Sequence, residues 1–317
     1  MKKFVKKIIV FFIPLFLYLI IVVIIDPYNF FSNSNFIPLE TKKEISFKLN
    51  YPLFKLLAFK KKPTKNIILG DSRTNNLDIN FINECAGKEF TNLAFGGGTL
   101  QEIINTFWEA TKETKLEKVV IGLNFNLYNK VNAMDRVSEA VYLKNNFLSY
   151  GTSKFVFKST GLIIKNLILN SSFDLGIPEM SREEFWQYQL NSAANNTYRI
   201  YNYPQGYFLE LKKIAEYCKN NKIELKFFIP PTHTSLQEKI HEFKLLKEEE
   251  KFKEDIKRLA SVYDFDFSNQ ITRNKEKFKD PYHCKESVAE LVAKVIFCEN
   301  PEPDLIDYFV FYENKKE

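Results

Sequence analysis

Asn66-Ile67-Ile68-Leu69-Gly70-Asp71-Ser72-Arg73-Thr74-Asn75-Asn76 decides how this chain is read. Ile67, Ile68 and Leu69 form a short apolar run, the mark of a strand covered on both faces. Gly70 lets the chain turn where a side chain would clash. A serine then stands where a strand hands over to a helix. Open α/β sheets place their ligands at that end of the strands. Asp71 and Ser72 are also ordinary helix-capping residues, so the stretch alone fits either a cap or a nucleophile.

From residue 63 onward strand and helix signals alternate. Strands are expected at 67–69, 90–95, 119–124, 223–229 and 264–268, with an edge strand at 308–312. Helices are expected at 76–86, after Thr99, at 207–220, along 236–262 and at 285–297. Thr99-Leu100-Gln101-Glu102 has capping-box spacing, and Leu236, Ile240, Phe243, Leu246, Phe252, Ile256 and Leu259 form one apolar stripe. This alternation predicts an α/β fold, a three-layer α/β/α sandwich around a mostly parallel sheet. Residues 129–206 break the rhythm and read as an insertion that caps or flanks the sheet. Its aromatics (Trp186, Tyr188, Tyr198, Tyr201, Tyr203, Tyr207) are read mainly as packing groups, with stacking on sugar rings as the alternative.

Residues 8–25 are an unbroken apolar run of 18 residues, about 27 Å as a helix. No small-residue cleavage site closes it, so an uncleaved membrane anchor over 1–25 is expected rather than a signal peptide. Lys2, Lys3, Lys6 and Lys7 precede the run, whereas only Lys42 and Lys43 follow closely. The positive-inside rule then keeps the N-terminus cytoplasmic and exports the rest, to the periplasm or cell surface. Residues 26–62 are read as a juxtamembrane connector, 63–300 as the main domain and 301–317 as a tail.

The formal charge is +6, and those four lysines supply most of it. The remaining near-neutral surface is no nucleic-acid footprint. Cys85, Cys218, Cys284 and Cys298 lack zinc-type spacing. Export permits disulfides among them, and Cys284–Cys298 is disfavoured because the two bracket one helix. Gly96-Gly97-Gly98 matches neither the phosphate-loop nor the dinucleotide pattern. No metal or other cofactor is expected.

Parallel strands place their C-terminal ends on one sheet edge. Ser72, the Gly96–Gly98 loop, Asn124 and His233 all follow strands, and Asp280-Pro281-Tyr282-His283 precedes the last helix. Acyl transfer needs such parts: a serine, a base to take its proton, an acid to orient the base and donors for an oxyanion. Asp280 also suits a helix cap, and His241 is read as exposed and inert.

In order, Gly70-Asp71-Ser72, Asn92-Leu93-Ala94-Phe95-Gly96-Gly97, Gly122-Leu123-Asn124 and Asp280-Pro281-Tyr282-His283 resemble the four blocks of the SGNH (GDSL-like) hydrolase superfamily. The resemblance covers about 64–298. It implies an SGNH/flavodoxin-like fold with Ser72 as nucleophile, His283 as general base and Asp280 as its orienting acid. It further implies an oxyanion hole of the Ser72 N–H, the Gly97 N–H and the Asn124 side chain, with Gly96 and Gly98 as alternatives to Gly97. Arg73 and His233 are candidates for the substrate rim, with an ion pair as the other reading of Arg73. Phe125 departs from the family, which usually has Asp after Gly-x-Asn, and Arg73 departs from the usual leucine-containing continuation.

The Gly-Asp-Ser-Arg form, the anchor and the insertion are similar to cell-envelope members of teichoic-acid D-alanyl transfer and alginate O-acetylation. That likeness implies a tethered serine esterase or O-acyltransferase, a cell-envelope glycan or other acylated polymer as substrate, and a membrane-bound O-acyltransferase as partner. A non-catalytic, glycan-binding scaffold on the same fold is the alternative.

Overall fold

The structure, a computed structural model, describes residues 2–31, 36–169, 180–298 and 303–314. The chain divides into two compact units, Met1–Lys62 with Arg136–Ile177, and Pro63–Asp135 with Pro178–Glu317. The stretch expected as one insertion over 129–206 is thus shared between them.

The larger unit is built on a six-stranded sheet in the order β2-β1-β3-β4-β5-β6. These strands are β1 Asn66–Leu69, β2 Phe90–Asn92, β3 Lys118–Gly122, β4 Glu224–Ile229, β5 Ser261–Asp264 and β6 Val310–Tyr312. The first five are parallel, and β6 pairs antiparallel with β5. Every residue of β1 is buried, as its apolar run requires for a strand covered on both faces. Because β2 and β3 flank β1 on opposite sides, the sheet has a topological switch point there. A crevice opens at such a point, outside the carboxyl ends of β1 and β3.

Two glycines let a helix approach this point closely. A Cβ at Gly70 or at Gly122 would collide with the Thr74 side chain, which is fully buried between them. Thr74 sits in the one-turn helix Ser72–Asn75, so both glycines bring the serine turn tight against β1 and β3. On one sheet face, Ile82 and Phe90 pack with Val288, Val292 and Ile296 of the helix Glu286–Phe297. A Cys85–Cys298 disulfide, with Cα atoms 5.1 Å apart, links the helix Ile79–Ala86 to the end of that terminal helix. Cys218 and Cys284 are free and buried.

Several expected elements change, and the strand expected at 90–95 stops at Asn92. The helix expected over 76–86 forms as Ser72–Asn75 and Ile79–Ala86, because the Asp78 side chain accepts the Asn80 and Phe81 N–H groups and starts a new helix. The helix expected along 236–262 forms as Thr234–Glu242 and Leu246–Lys257. Lys244 breaks it by taking a left-handed conformation, φ 59°. The strand expected at 264–268 lies earlier, at Ser261–Asp264, in register with Lys226–Ile229. The Thr99–Glu102 capping box forms as expected, with both reciprocal bonds.

In the smaller unit the helices Lys2–Ile25 and Lys154–Leu169 meet through Ile25 and Ile163, which cluster with Ile37 and Ile45, and the helices Tyr51–Lys61, Val137–Asn145 and Phe147–Thr152 belong to the same unit. Asp26 ends the first helix and accepts the Phe30 and Phe31 N–H groups at 2.6 and 3.0 Å. Among the described residues no helix is long and apolar enough to cross a membrane. The side chains of Ile8 and Ile9, which open the apolar run, lie outside the described residues. The fold therefore contributes a helix of 24 residues at this place, and the spanning role expected for 8–25 does not follow from it.

Candidate active site

The turn after β1 builds the site. Asp71 caps the one-turn helix by accepting the Arg73 N–H at 3.0 Å. This is the capping role that the residue type suggests, and it points the next side chain outward. Ser72 Oγ lies 2.7 Å from His283 Nε2, although 211 residues separate them. The other ring nitrogen of His283 lies 2.8 Å from Asp280 Oδ2. Asp280 Oδ1 accepts the Tyr282 and His283 N–H groups at 2.8 and 3.2 Å. One carboxylate thus holds both its own loop and the imidazole.

Backbone contacts fix that loop. Lys279 N donates to His283 O at 2.7 Å, and His233 N donates to Pro281 O at 3.0 Å. Asp280 is buried, and the His283 side chain is about a quarter exposed. The serine–histidine–aspartate chain therefore opens at the histidine and is closed at the acid.

Ser72, His283, Gly97 and Gly98 line one cleft of about 280 Å³. Gly97 takes φ +61°, which side chains adopt only under strain. The Gly98 N–H is engaged by Phe95 O at 3.2 Å. Arg73, Tyr282, Asn126, Asn132, Gln189 and Thr197 line the same cleft. A larger cavity, about 780 Å³, lies at the other end of the sheet beside Glu224, Leu225 and Lys257 and holds no nucleophile paired with a base.

Asn124 is only 1% exposed and does not line the cleft. Its Nδ2 donates to Asp71 Oδ2 at 3.0 Å, and its Oδ1 accepts the Leu127 N–H at 3.0 Å. Asp71 Oδ2 also accepts from Arg73 Nε at 3.0 Å and Nη2 at 2.9 Å. Of the two readings of Arg73, the ion pair is the one formed. Its Nη1 is buried without a partner, and the guanidinium lies 5.6 Å from the centre of the Tyr282 ring. Burial opposes the charge on Arg73, but the adjoining Asp71 carboxylate outweighs it and holds the guanidinium's pKa above its ordinary value. Burial pushes the Tyr282 phenol up to about 12, so it stands neutral beside the cleft.

His233 is not brought to the cleft. It caps the helix Thr234–Glu242, its Nδ1 accepting the Ser235 N–H at 3.1 Å. Its ring packs edge-on to Trp186 and Phe278, 4.9 and 5.6 Å away. Burial lowers its pKa from the usual value. The aromatics of the expected insertion are mostly packing groups. Trp186 and Tyr198 are buried, and Tyr201 stacks on Phe125 at 4.5 Å. That stack gives Phe125 a packing role beside Asn124. Tyr188, about half exposed, is the aromatic of that group open to solvent.

Sequence reasoning gave Asp71 only a capping role and passed over Tyr282, Gln189 and Thr197. Tyr282 lies inside the Asp-x-x-His block and was within reach; the other two have no sequence signal. Among the described residues no group of three or more His, Cys, Asp or Glu side chains could hold a metal ion.

No family model matches this sequence, and no curated protein matches it. Solved structures that the chain matches include one described as a lipolytic protein of the G-D-S-L family from Desulfitobacterium hafniense. It is 14% identical, with 72% of this chain and 95% of that chain covered, at a TM-score of 0.36. One assigned as a platelet activating factor from Streptococcus pneumoniae is 12% identical over 82% of this chain and 97% of that one, at 0.40. One assigned as an acylhydrolase from Bacteroides fragilis is 12% identical over 74% and 86%, at 0.38. Likeness at these levels carries no argument about the reaction.

Proposed function

We propose that this chain is an exported, membrane-tethered serine esterase or O-acyltransferase that acts on a cell-envelope or exported polysaccharide. The observation that carries the reading is the chain of contacts from Ser72 Oγ through His283 to Asp280, at 2.7 and 2.8 Å. A serine hydroxyl is a weak nucleophile until a base takes its proton. His283 Nε2 is within reach of that proton, and Asp280 holds the opposite nitrogen as the donor and stabilises the imidazolium. The 2.7 Å contact supports catalysis over the glycan-binding scaffold.

In the first step Ser72 Oγ bonds to the ester carbonyl carbon and its proton passes to His283. The Ser72 N–H and the Gly97 N–H act on the oxyanion, while the buried Asn124 holds Asp71 beneath the serine turn. As the tetrahedral species collapses, the ester C–O bond breaks and His283 returns the proton to the leaving alcohol. An acyl-Ser72 remains. Water or a sugar hydroxyl then gives its proton to His283 and attacks, and Ser72 is released with its proton. The two outcomes differ only in the attacking oxygen.

Two observations support export. The chain opens with four lysines ahead of an 18-residue apolar run, and Cys85 and Cys298 are disulfide-bonded. Disulfides persist in oxidising compartments. In this reading the N-terminal helix tethers the chain, the catalytic unit lies outside the cytoplasm, and a membrane-bound O-acyltransferase supplies the acyl group. The test is labelling of the purified full chain by a fluorophosphonate probe. Wild type should label and Ser72→Ala should not; equal labelling of both would overturn the reading. A labelled acyl donor offered with an envelope glycan then separates transfer, which moves label to the glycan, from hydrolysis.

A further inference from the structure

The least explained surface belongs to the smaller unit. Between Glu139 and Asp174 the chain has no Asp or Glu but four lysines, Lys144, Lys154, Lys158 and Lys165. The helix Lys154–Leu169 buries Val156, Ser159, Thr160 and Ile163. Its outer face presents Lys154, Phe157, Lys158, Lys165 and Ile168 at helical spacing. Phe157 is 66% exposed and Ile168 75%. Helices that face water usually carry charges of both signs and few such groups. A face of basic and apolar residues without acids is the composition of helices that lie in a membrane interface.

This face continues the N-terminal helix. Phe157 lies 5.6 Å from Tyr18, Gly151 abuts Leu19, and Ile163 shares a cluster with Ile25. The helix Lys154–Leu169 thus runs beside the last two turns of Lys2–Ile25. At about 1.5 Å per residue, Tyr18 lies about 10 Å from Ile25 along the axis. Interfacial helices bury their apolar face to a depth of about 5–10 Å. At the same end Phe147, 39% exposed, meets Phe31 at 5.6 Å. Beside them Leu148 is 63% exposed. Aromatic belts mark the membrane–water boundary.

We infer that Phe147, Leu148 and Phe157, flanked by Lys154, Lys158 and Lys165, form a seat that rests the unit on an anionic lipid leaflet. The apolar groups enter the acyl region and the lysines meet lipid phosphates. Exposed aliphatic side chains such as Leu148 have nothing to gain from a polysaccharide, and the uniform positive charge suits anionic lipid. The seat deepens the tethering proposed above and rests on the N-terminal helix lying in the same membrane.

The test places single tryptophans in the full chain, reconstituted in phosphatidylglycerol–phosphatidylethanolamine vesicles that carry acyl-brominated lipid. Phe157→Trp and Leu148→Trp should each add emission that bromolipid quenches at least twofold beyond the parent chain, and Phe16→Trp on the N-terminal helix should do the same. Replacing Lys154, Lys158 and Lys165 by Glu should abolish the quenching at 157 and leave that at 16. Quenching at 16 but not at 148 or 157 overturns the seat and keeps the tether. Quenching at 148 and 157 but not at 16 overturns the tether and, with it, the seat as placed beside that helix. Unquenched emission at all three overturns both.

Discussion

Replacing Asp71 by Asn tests whether the donors around Ser72 hang on one carboxylate. Its oxygens accept the Arg73 N–H, Arg73 Nε and Asn124 Nδ2 at 3.0 Å each and Arg73 Nη2 at 2.9 Å. Asp71→Asn keeps the shape, removes the charge and points an amide NH₂ at groups that are themselves donors. Arg73 is only 8% exposed, so its cation stays buried beside a neutral group. Breaking a buried pair from one side costs about 3–5 kcal/mol, against a total stability of about 5–15 kcal/mol. The variant should fold but unfold in urea about 1–2 M earlier, taking a slope of about 3 kcal/mol/M. Circular dichroism of the detergent-solubilised full chain reads this directly. Arg73→Met in the same background removes the stranded cation, so the double variant should recover at least about 2 kcal/mol relative to additivity. Turnover of a chromogenic acetyl ester should fall by about 10²–10³ with KM unchanged, because the turn that carries the Ser72 N–H loses its charged cap and an oxyanion donor is worth about that factor. A loss of stability below about 1 kcal/mol, or additive single and double variants, would refute the idea that Asp71 organises the site.

Asp280→Asn removes the charged acceptor 2.8 Å from His283. It should lower kcat by about 10⁴, as loss of the acid does in other triads, and a steady-state drop below tenfold would contradict the assigned role. Glu249 is held up to about 7, by burial first, with Asp266 and Asp264 adding to it and Lys253 opposing. Its folded pKa is raised, so between about pH 4.5 and 7 the unfolded chain has lost a proton that the folded chain keeps, and stability falls as pH rises. Glu249→Gln should remove up to about 3 kcal/mol of that fall, measured by urea unfolding at pH 5 and 7.5; an unchanged difference between the two pH values would count against it. Cys85→Ser opens a loop spanning 213 residues, for which chain entropy alone gives about 5 kcal/mol. Dithiothreitol should lower the thermal midpoint of wild type and leave that of Cys85→Ser unmoved.

What the sequence made legible was local. The apolar run of β1 and the Thr99–Glu102 box depend on neighbours within a few residues, and both formed. The break at Lys244 was hidden because Leu236, Ile240, Phe252 and Ile256 are buried on either side of it, so the apolar stripe reads through the turn. Strand ends could be placed on one sheet edge, but the direction of a side chain at that edge depends on partners far along the chain. His233 and Asn124 illustrate the difference. Both follow parallel strands, and position alone suggested that both would face the cleft. His233 instead caps its own helix and packs on Trp186, 47 residues upstream. Asn124 turns to Asp71, 53 residues away. Thr74 shows the same dependence from the packing side. Its burial requires glycine both at 70, four residues away, and at 122 in the next strand of the sheet. Gly122 in the Gly-x-Asn motif therefore has a reason to be glycine that concerns the serine turn rather than the oxyanion. The spacing of that motif reflects the close packing of two strand ends as much as the chemistry they carry.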